Sequence, residues 1–305
     1  MEFKTITGRR PDLESIEVNF PESYIGTRVF PVVKAMEKTG TIYYKTLIAD
    51  SAAQTGRSSG TAPNRTLLTD SSTTFSCAEA IKRYGVDKAE VKNMGGIEAA
   101  DKLGGMASKR SVMRKLEGDI AAVLLDATGY AAANDIHTAI IDGIADAAKS
   151  VKRYGGRTAF VCSVNVYQFL IKQTELTGKM GWSFAAGDIN AILSMNPNVF
   201  KAMLQGLFAF DEVLIGDDAH WSIATREDAA AVVKLPDADE FSHKLDPVLG
   251  KTWLYMPDGN QPFEIESFYN EDDKINNYDA TSWYNIKQLN AGAKKLVRGL
   301  GTPTT

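Results

Sequence analysis

Residues 88–127 read KAEVKNMGGIEAADKLGGMASKRSVMRKLEGDIAAVLLDA, and the way this stretch folds decides how the rest of the chain is laid out. Met106, Met113, Leu116, Ile120, Val123, Leu124 and Ala127 recur at spacings of three, four and seven, which puts them on one face of a helix. Started at Ile97 and ended at Ala127, that helix is ~45 Å long at ~1.5 Å per residue. Gly104 and Gly105 fall inside it, each costing about 1 kcal/mol relative to Ala. They mark either a bend or a true start at Met106. Between Lys82 and Lys115, nine Lys or Arg stand against four acids. Such an excess suits a phosphate-facing stripe, but a solvated helix face is its usual meaning.

Upstream lies YIGTRVFPVVKAMEKTGTIYYK, residues 24–45. Pro31 pushes Phe30 to β or polyproline geometry, and the β-run 41–48 carries Tyr43 and Tyr44, both strand formers. Residues 1–23 are polar, with helix limited by Pro11 and Pro21, and suggest an extended arm. Residues 48–74, IADSAAQTGRSSGTAPNRTLLTDSSTT, are rich in Ser and Thr and carry only Asp50, Arg57, Arg65 and Asp70 as charges. Residues 73–86 are again β-like, although AEAIKR within them equally suits a helix start. Long unstructured loops are uncommon inside compact domains. The polar stretch is therefore a linker, an enzyme's lid, or an arm ordered only on another molecule.

Downstream the rhythm changes. Asn134 or Asp135 caps a helix that runs to Arg153 and ends at Gly155-Gly156. RTAFVCS is a short buried strand, Ser163 caps the helix SVNVYQFLIKQ, Pro197 opens a helix through Phe208, and DEVLIG is a second strand. This alternation predicts an α/β unit. In the last third, AAAVVKL and PVLGKTWLYM are strands. PDGN at 257–260 is a turn signal before FEIESFY, which predicts a hairpin, and residues 283–286 suit a last strand.

At 305 residues, 44% hydrophobic and 24% charged, the chain has the composition of a soluble globular protein with a large core. No apolar run approaches the ~20 residues of a membrane helix, and the N-terminus has no apolar signal region, so folding in a cytoplasm and no membrane partner are expected. A net charge of -4 and a pI near 5.6 argue against a tight sequence-specific binder of nucleic acid, which would carry a basic excess.

Catalytic chemistry is hard to find. Cys77 and Cys162 stand alone and read as buried small side chains. His137, His220 and His243 are scattered without ligand spacing. GGIEAADKLGG lacks the Lys-Ser/Thr end of a phosphate loop. Ser163 follows a strand and opens a helix, but capping explains it better than nucleophilic attack. The acids Glu264, Glu266, Glu271, Asp272 and Asp273 suit calcium by type but not by spacing, and a solvated strand face and turn is the simpler account. No catalytic, cofactor-binding or metal-binding residue is assigned, and the chain is not expected to be an enzyme.

The order of these pieces resembles the tailed-bacteriophage major capsid proteins of the Hong Kong 97 type. Residues 24–45, the polar β-arm, KAEVKN before a long helix, the α/β unit, KTWLY and a closing hairpin carry the likeness over nearly the whole chain. The resemblance implies an α+β fold with an N-terminal arm (1–38), an extended β-hairpin loop (39–86), a peripheral domain with a spine helix (87–133), an α/β axial domain (134–225) and a return to the peripheral domain (226–305). It implies a structural role: pentamers and hexamers closing into an icosahedral head around double-stranded DNA, held in the virion after assembly in a host cytoplasm. Implied partners are other copies of the chain, a separate scaffolding protein, a portal protein and a decoration protein. The alternatives are an encapsulin-like nanocompartment shell and a soluble α/β enzyme with residues 48–74 as a lid.

In this setting a low-charge arm is suited to lie across a neighbour, because desolvating fixed charges is costly. Tyr43, Tyr44, Gln54, Arg57, Asn64, Arg65 and Asp70 are the expected intersubunit contacts. Some members of the family crosslink through a loop lysine. Between Thr46 and Ile81 there is no lysine, so no such crosslink is expected.

Overall fold

The computed structural model describes residues 4–15, 24–45, 70–125, 140–171, 197–221, 229–236, 248–257 and 262–297. At its centre is α4 (Ile97–Leu124), a continuous helix of 28 residues. It follows the short α3 (Lys88–Val91), which Asp87 caps by accepting from the Ala89 N–H at 2.7 Å. Gly95 and Gly96, both at positive φ, break the chain between the two helices. Gly104 and Gly105 are neither bend nor start. They lie within α4 where it presses on the sheet: a Cβ at Gly104 would sit 2.1 Å from the Tyr278 ring.

Beneath α4 lies a six-stranded sheet. Its strands are β1 (Gly8–Arg9), β2 (Val32–Ala35), β5 (Ala78–Asp87), β9 (Gly250–Tyr255), β10 (Glu264–Asn270) and β11 (Ile275–Gln288). The 14-residue β11 organises it. One edge pairs with β5; along the other edge lie β10 and then β9, both antiparallel to β11. The hairpin expected around PDGN is therefore corrected: β9 and β10 do not pair, and β10 instead turns into β11 at residues 271–274. The turn signal was local, whereas β11 is long enough to serve both strands. Residues 283–286 lie inside β11 and are not the last strand.

A separate four-stranded sheet joins β6 (Thr158–Ser163), β7 (Glu212–Gly216), β8 (Ala230–Lys234) and β12 (Lys294–Val297) in the order β12-β8-β6-β7. Both β6 and β8 are buried at every position, as strands covered on both faces must be. Phe160, Cys162, Ala230 and Val232 share a core with α5 (Ile140–Lys152), α6 (Val164–Ile171) and α7 (Pro197–Phe208). Ala159, Val161, Ala231 and Val233 belong to the core that contains α4. Residues 230–234 and 294–297, grouped by the sequence pattern with the returning strands, thus pair into the α/β unit. Ser163 caps α6, its hydroxyl accepting from the Val166 N–H at 3.3 Å. Cys162 is free and buried, and burial pushes its thiol up to about 12.

The last sheet is a ribbon of two strands, β3 (Thr39–Lys45) and β4 (Asp70–Ser76), antiparallel from Thr39↔Ser76 to Lys45↔Asp70. Residues 78–86, expected in the same extended loop, belong to β5 and the six-stranded sheet; AEAIKR is strand, not helix.

Candidate assembly surface

None of residues 39–44 and 71–76 of the ribbon is buried. Thr39, Thr41 and Tyr43 face outward with Ser72, Thr74 and Ser76, and Tyr43 is 75% exposed. Gly40, Ile42 and Tyr44 lie half-buried on the opposite face with Ser71, Thr73 and Phe75. This half-buried face is held where Ile42 and Phe75 pack on Ala35, Cys77 and Trp253. Phe75 stacks on Trp253 with ring centroids 5.8 Å apart, in a small cluster with Ala35 and Cys77. Lys38 lies 4.1 Å from the Trp283 ring centroid, where the π-face attracts a cation. The Cys77 N–H donates to the Lys38 carbonyl at 2.7 Å, and Lys287 and Asn285 of β11 donate to the Thr74 and Ser76 carbonyls.

Of the expected contact residues, Tyr43 and Tyr44 thus stand on opposite faces of one strand. Asp70 pairs through its backbone with Lys45. Gln54, Arg57, Asn64 and Arg65 lie outside the described residues, as does most of the polar stretch. The root residues Lys38, Phe75, Trp253 and Trp283 were not singled out from the sequence. Aromatics in strands flanking a polar stretch are a usable signal, but their meeting depends on pairing across more than 170 residues.

The N-terminal segment is held differently. Residues 4–15 form β1, paired with β10, and α1 (Pro11–Glu14). Arg10 donates to Asp101 of α4 at 2.8 Å, and Asp101 also accepts from the Tyr278 hydroxyl at 2.6 Å. Buried Lys109 donates to the Glu14 carbonyl at 2.6 Å, and burial lowers its ammonium to about 8. The Glu14 carboxylate accepts from Arg9 and from the Ile265 N–H.

A third junction ties α4 to α2 (Gly26–Val29) and to α8 (Asp218–Trp221). The buried Glu117 carboxylate accepts from the Ile25 N–H at 2.8 Å, the Gly26 N–H at 3.0 Å and Trp221 Nε1 at 2.8 Å. Burial raises its carboxyl above the usual range, against the pull of these three donors. Nearby, Glu212 of β7 pairs with both Arg28 of α2 and Arg157.

The buried face of α4 therefore includes Asp101, Lys109 and Glu117 beside Val112, Met113, Leu116, Ile120 and Leu124. Met106 and Val123, expected on the apolar face, are only half-buried. Of the charged residues between Lys82 and Lys115 only Asp101 and Lys109 are buried, and most of the charge in this stretch is exposed.

For catalysis there is little. Among the described residues no three His, Cys, Asp or Glu side chains converge on a metal position. The acids 271–273 form the β10–β11 turn, where Asn270 donates to Asp273 at 2.6 Å. His220 is beside Asp217 at 2.5 Å and edge-on to Tyr24. His137 and His243 lie outside the described residues. No described helix is long and apolar enough to cross a membrane.

No model of a known protein family matches the sequence, and no curated protein matches it. Solved structures do. A phage-related protein from Bordetella bronchiseptica superposes with a TM-score of 0.67 at 14% identity, over 99% of this chain and 100% of that one. The capsid of an empty GTA particle matches with a TM-score of 0.52 at 13% identity, over 93% and 91% of the two chains. The capsid of cyanophage P-SCSP1u matches at 0.51 and 10% identity, over 93% and 90%. At such identities the likeness is one of fold, and it runs the length of the chain: this protein has the α+β fold of the phage major capsid proteins, of Hong Kong 97 type.

Proposed function

We propose that this chain is the major capsid protein of a phage head: a structural, non-enzymatic subunit that forms pentamers and hexamers, closes into an icosahedral shell and encloses double-stranded DNA without reading its sequence. The observation that carries this reading is the β3–β4 ribbon, a separate two-stranded sheet whose residues 39–44 and 71–76 are exposed on one face and only half-buried on the other. A two-stranded ribbon alone is marginal in water. Laid across a neighbour, it gains a covering surface, and its open edges become contacts. Tyr43, Tyr44 and Asp70, with Gln54, Arg57, Asn64 and Arg65 further along, are the residues we assign to that contact. Repetition around rings and between rings turns weak pairwise contacts into a stable container.

The proposed domain roles follow from the same reading: α4 and the six-stranded sheet are peripheral, and the α/β unit is axial. A scaffolding protein, a portal and a decoration protein are the proposed partners, and the virion is the proposed location. A net charge of -4 suits a wall that does not trap DNA. The test is deletion of residues 54–65. The variant subunit is expected to fold, with unchanged circular dichroism, yet fail to form closed shells; normal shells from it would overturn the proposal.

A further inference from the structure

Strand β5 leaves one edge of the six-stranded sheet open. It is 10 residues long, and among the described residues it pairs only with β11. Ala80 and Val86 are buried in the core that contains α4, while the rest of the strand is exposed, Ile81 by 50% and Tyr84 by 39%. An open edge with exposed apolar side chains is a template for another strand, and folded proteins usually blunt it.

The end of the strand shows which backbone groups face outward. The Lys88 N–H donates to the Lys274 carbonyl at 3.0 Å, and Asp87 stands opposite Ile275. Hydrogen-bonded and non-hydrogen-bonded pairs alternate along an antiparallel ladder. Glu79, Ile81, Arg83, Gly85 and Asp87 therefore aim their N–H and C=O groups at the open edge. Their side chains lie on the face away from Ala80 and Val86.

We propose that two copies of this chain join edge to edge through β5, antiparallel about a two-fold axis at Ile81, so that the sheet runs from one subunit into the next. This contact rests on the self-association proposed above and is additional to the ribbon's. Charge selects the register. Centred on Ile81, Glu79 of each copy faces Arg83 of the other, the two Ile81 side chains meet, and each Tyr84 stands opposite the other copy's Ala78. Opposite charges directly across a ladder attract and like charges repel. Arg83 is held in place for the contact: it donates to both oxygens of Asp279 at 2.7 Å and lies 4.8 Å from the Phe268 ring centroid, with its side chain 58% exposed. Centring on Glu79, Lys82 or Arg83 sets each of them against itself. Centring on Ala80 or Tyr84 gives neither Glu79 nor Arg83 an opposite charge, and centring on Gly85 pairs only the last half of β5.

The test is oxidative crosslinking of the purified full-length chain. Ile81→Cys puts two cysteines at a hydrogen-bonded pair, where Cα atoms stand about 5.5 Å apart, within the roughly 4.4–6.8 Å that a disulfide spans. Tyr84→Cys is the register control, because its two copies are about 20 Å apart at ~3.4 Å per residue. Wild type, whose Cys77 and Cys162 are buried, is the blank. On a non-reducing gel Ile81→Cys is expected to give about tenfold more linked dimer than either. Adding Glu79→Lys sets a cation against each Arg83 and should slow the crosslinking about fivefold. No dimer from Ile81→Cys, or equal dimer from Tyr84→Cys, would overturn the proposal, and undiminished crosslinking with Glu79→Lys would overturn the register. Closed shells without this crosslink would remove the β5 contact alone, and a linked dimer without shells would leave the β5 contact standing without the shell.

Discussion

Two segments from the first third of the chain are held in opposite ways. Residues 4–15 are tied to their own subunit through buried charge: Arg10 on Asp101, Lys109 on the Glu14 carbonyl, Glu14 on the Ile265 N–H. The β3–β4 ribbon has backbone pairing and an aromatic root, but none of its residues 39–44 and 71–76 is buried. Breaking a buried, paired charge leaves its partner stranded, so the first segment is costly to remove. Desolvating Thr, Ser and Tyr against a neighbour has no such penalty, so the second can be covered and uncovered. One part of the chain is built to stay on its subunit, and the other is the part we propose meets a second one.

The sharpest way to break this contrast lies on the tied side. Glu117→Ala strands three N–H donors in the interior, and at about 1–3 kcal/mol for each unsatisfied group it should cost at least about 3 kcal/mol in denaturant unfolding. A loss below about 1 kcal/mol would mean that the junction is not holding α2 and α8 to α4.

Gly104→Ala comes next. The new methyl meets the Tyr278 ring, whose hydroxyl is pinned by Asp101. Overpacking of about 1–3 kcal/mol should outweigh the gain of about 1 kcal/mol in helix propensity, for a net loss of up to about 2 kcal/mol. Gly105→Ala, meeting Leu13 Cβ at 3.3 Å, is the control and should be near neutral. Equal effects of the two would argue against the close approach at Tyr278.

On the ribbon the effects shrink. Phe75→Ala removes the stack on Trp253 and should cost about 1 kcal/mol, half the value for a fully buried ring, with hydrogen-exchange protection lost first in residues 39–45. Protection lost uniformly across the six-stranded sheet would place the root inside the main core instead. Smallest of all, Tyr43→Ala should change subunit stability by less than about 0.5 kcal/mol while lowering the assembled fraction. A loss above 1 kcal/mol would show that this face is covered within its own subunit.

How much of this was legible in the sequence follows from how local each cause is. The cap of Ser163 on α6, the start at Pro197 and the stop at Gly155-Gly156 depend on a few neighbouring residues, and they stand where the chain punctuates itself. The two Gly in α4 were ambiguous because what each meets is distant in the chain: the Tyr278 ring for Gly104, 174 positions away, and Leu13 and Ile265 for Gly105. Asp101 and Lys109 lie in the stretch whose usual meaning is a solvated face, because periodicity counts apolar residues and misses partners such as Arg10, Tyr278 and the Glu14 carbonyl. The hairpin at PDGN failed since turn chemistry cannot register that β11 offers one edge to two strands. In the ribbon, the strand preference of Tyr43 and Tyr44 predicted the strand, but which face meets another molecule is not a property of the subunit alone.

The central claim is that the subunit is made to associate into a shell. Sedimentation velocity on the purified full-length protein, with and without a co-expressed scaffolding candidate, followed by electron microscopy of any fast-sedimenting species, tests it most directly. Closed shells of uniform size are the predicted result; a stable monomer or dimer under both conditions would contradict it.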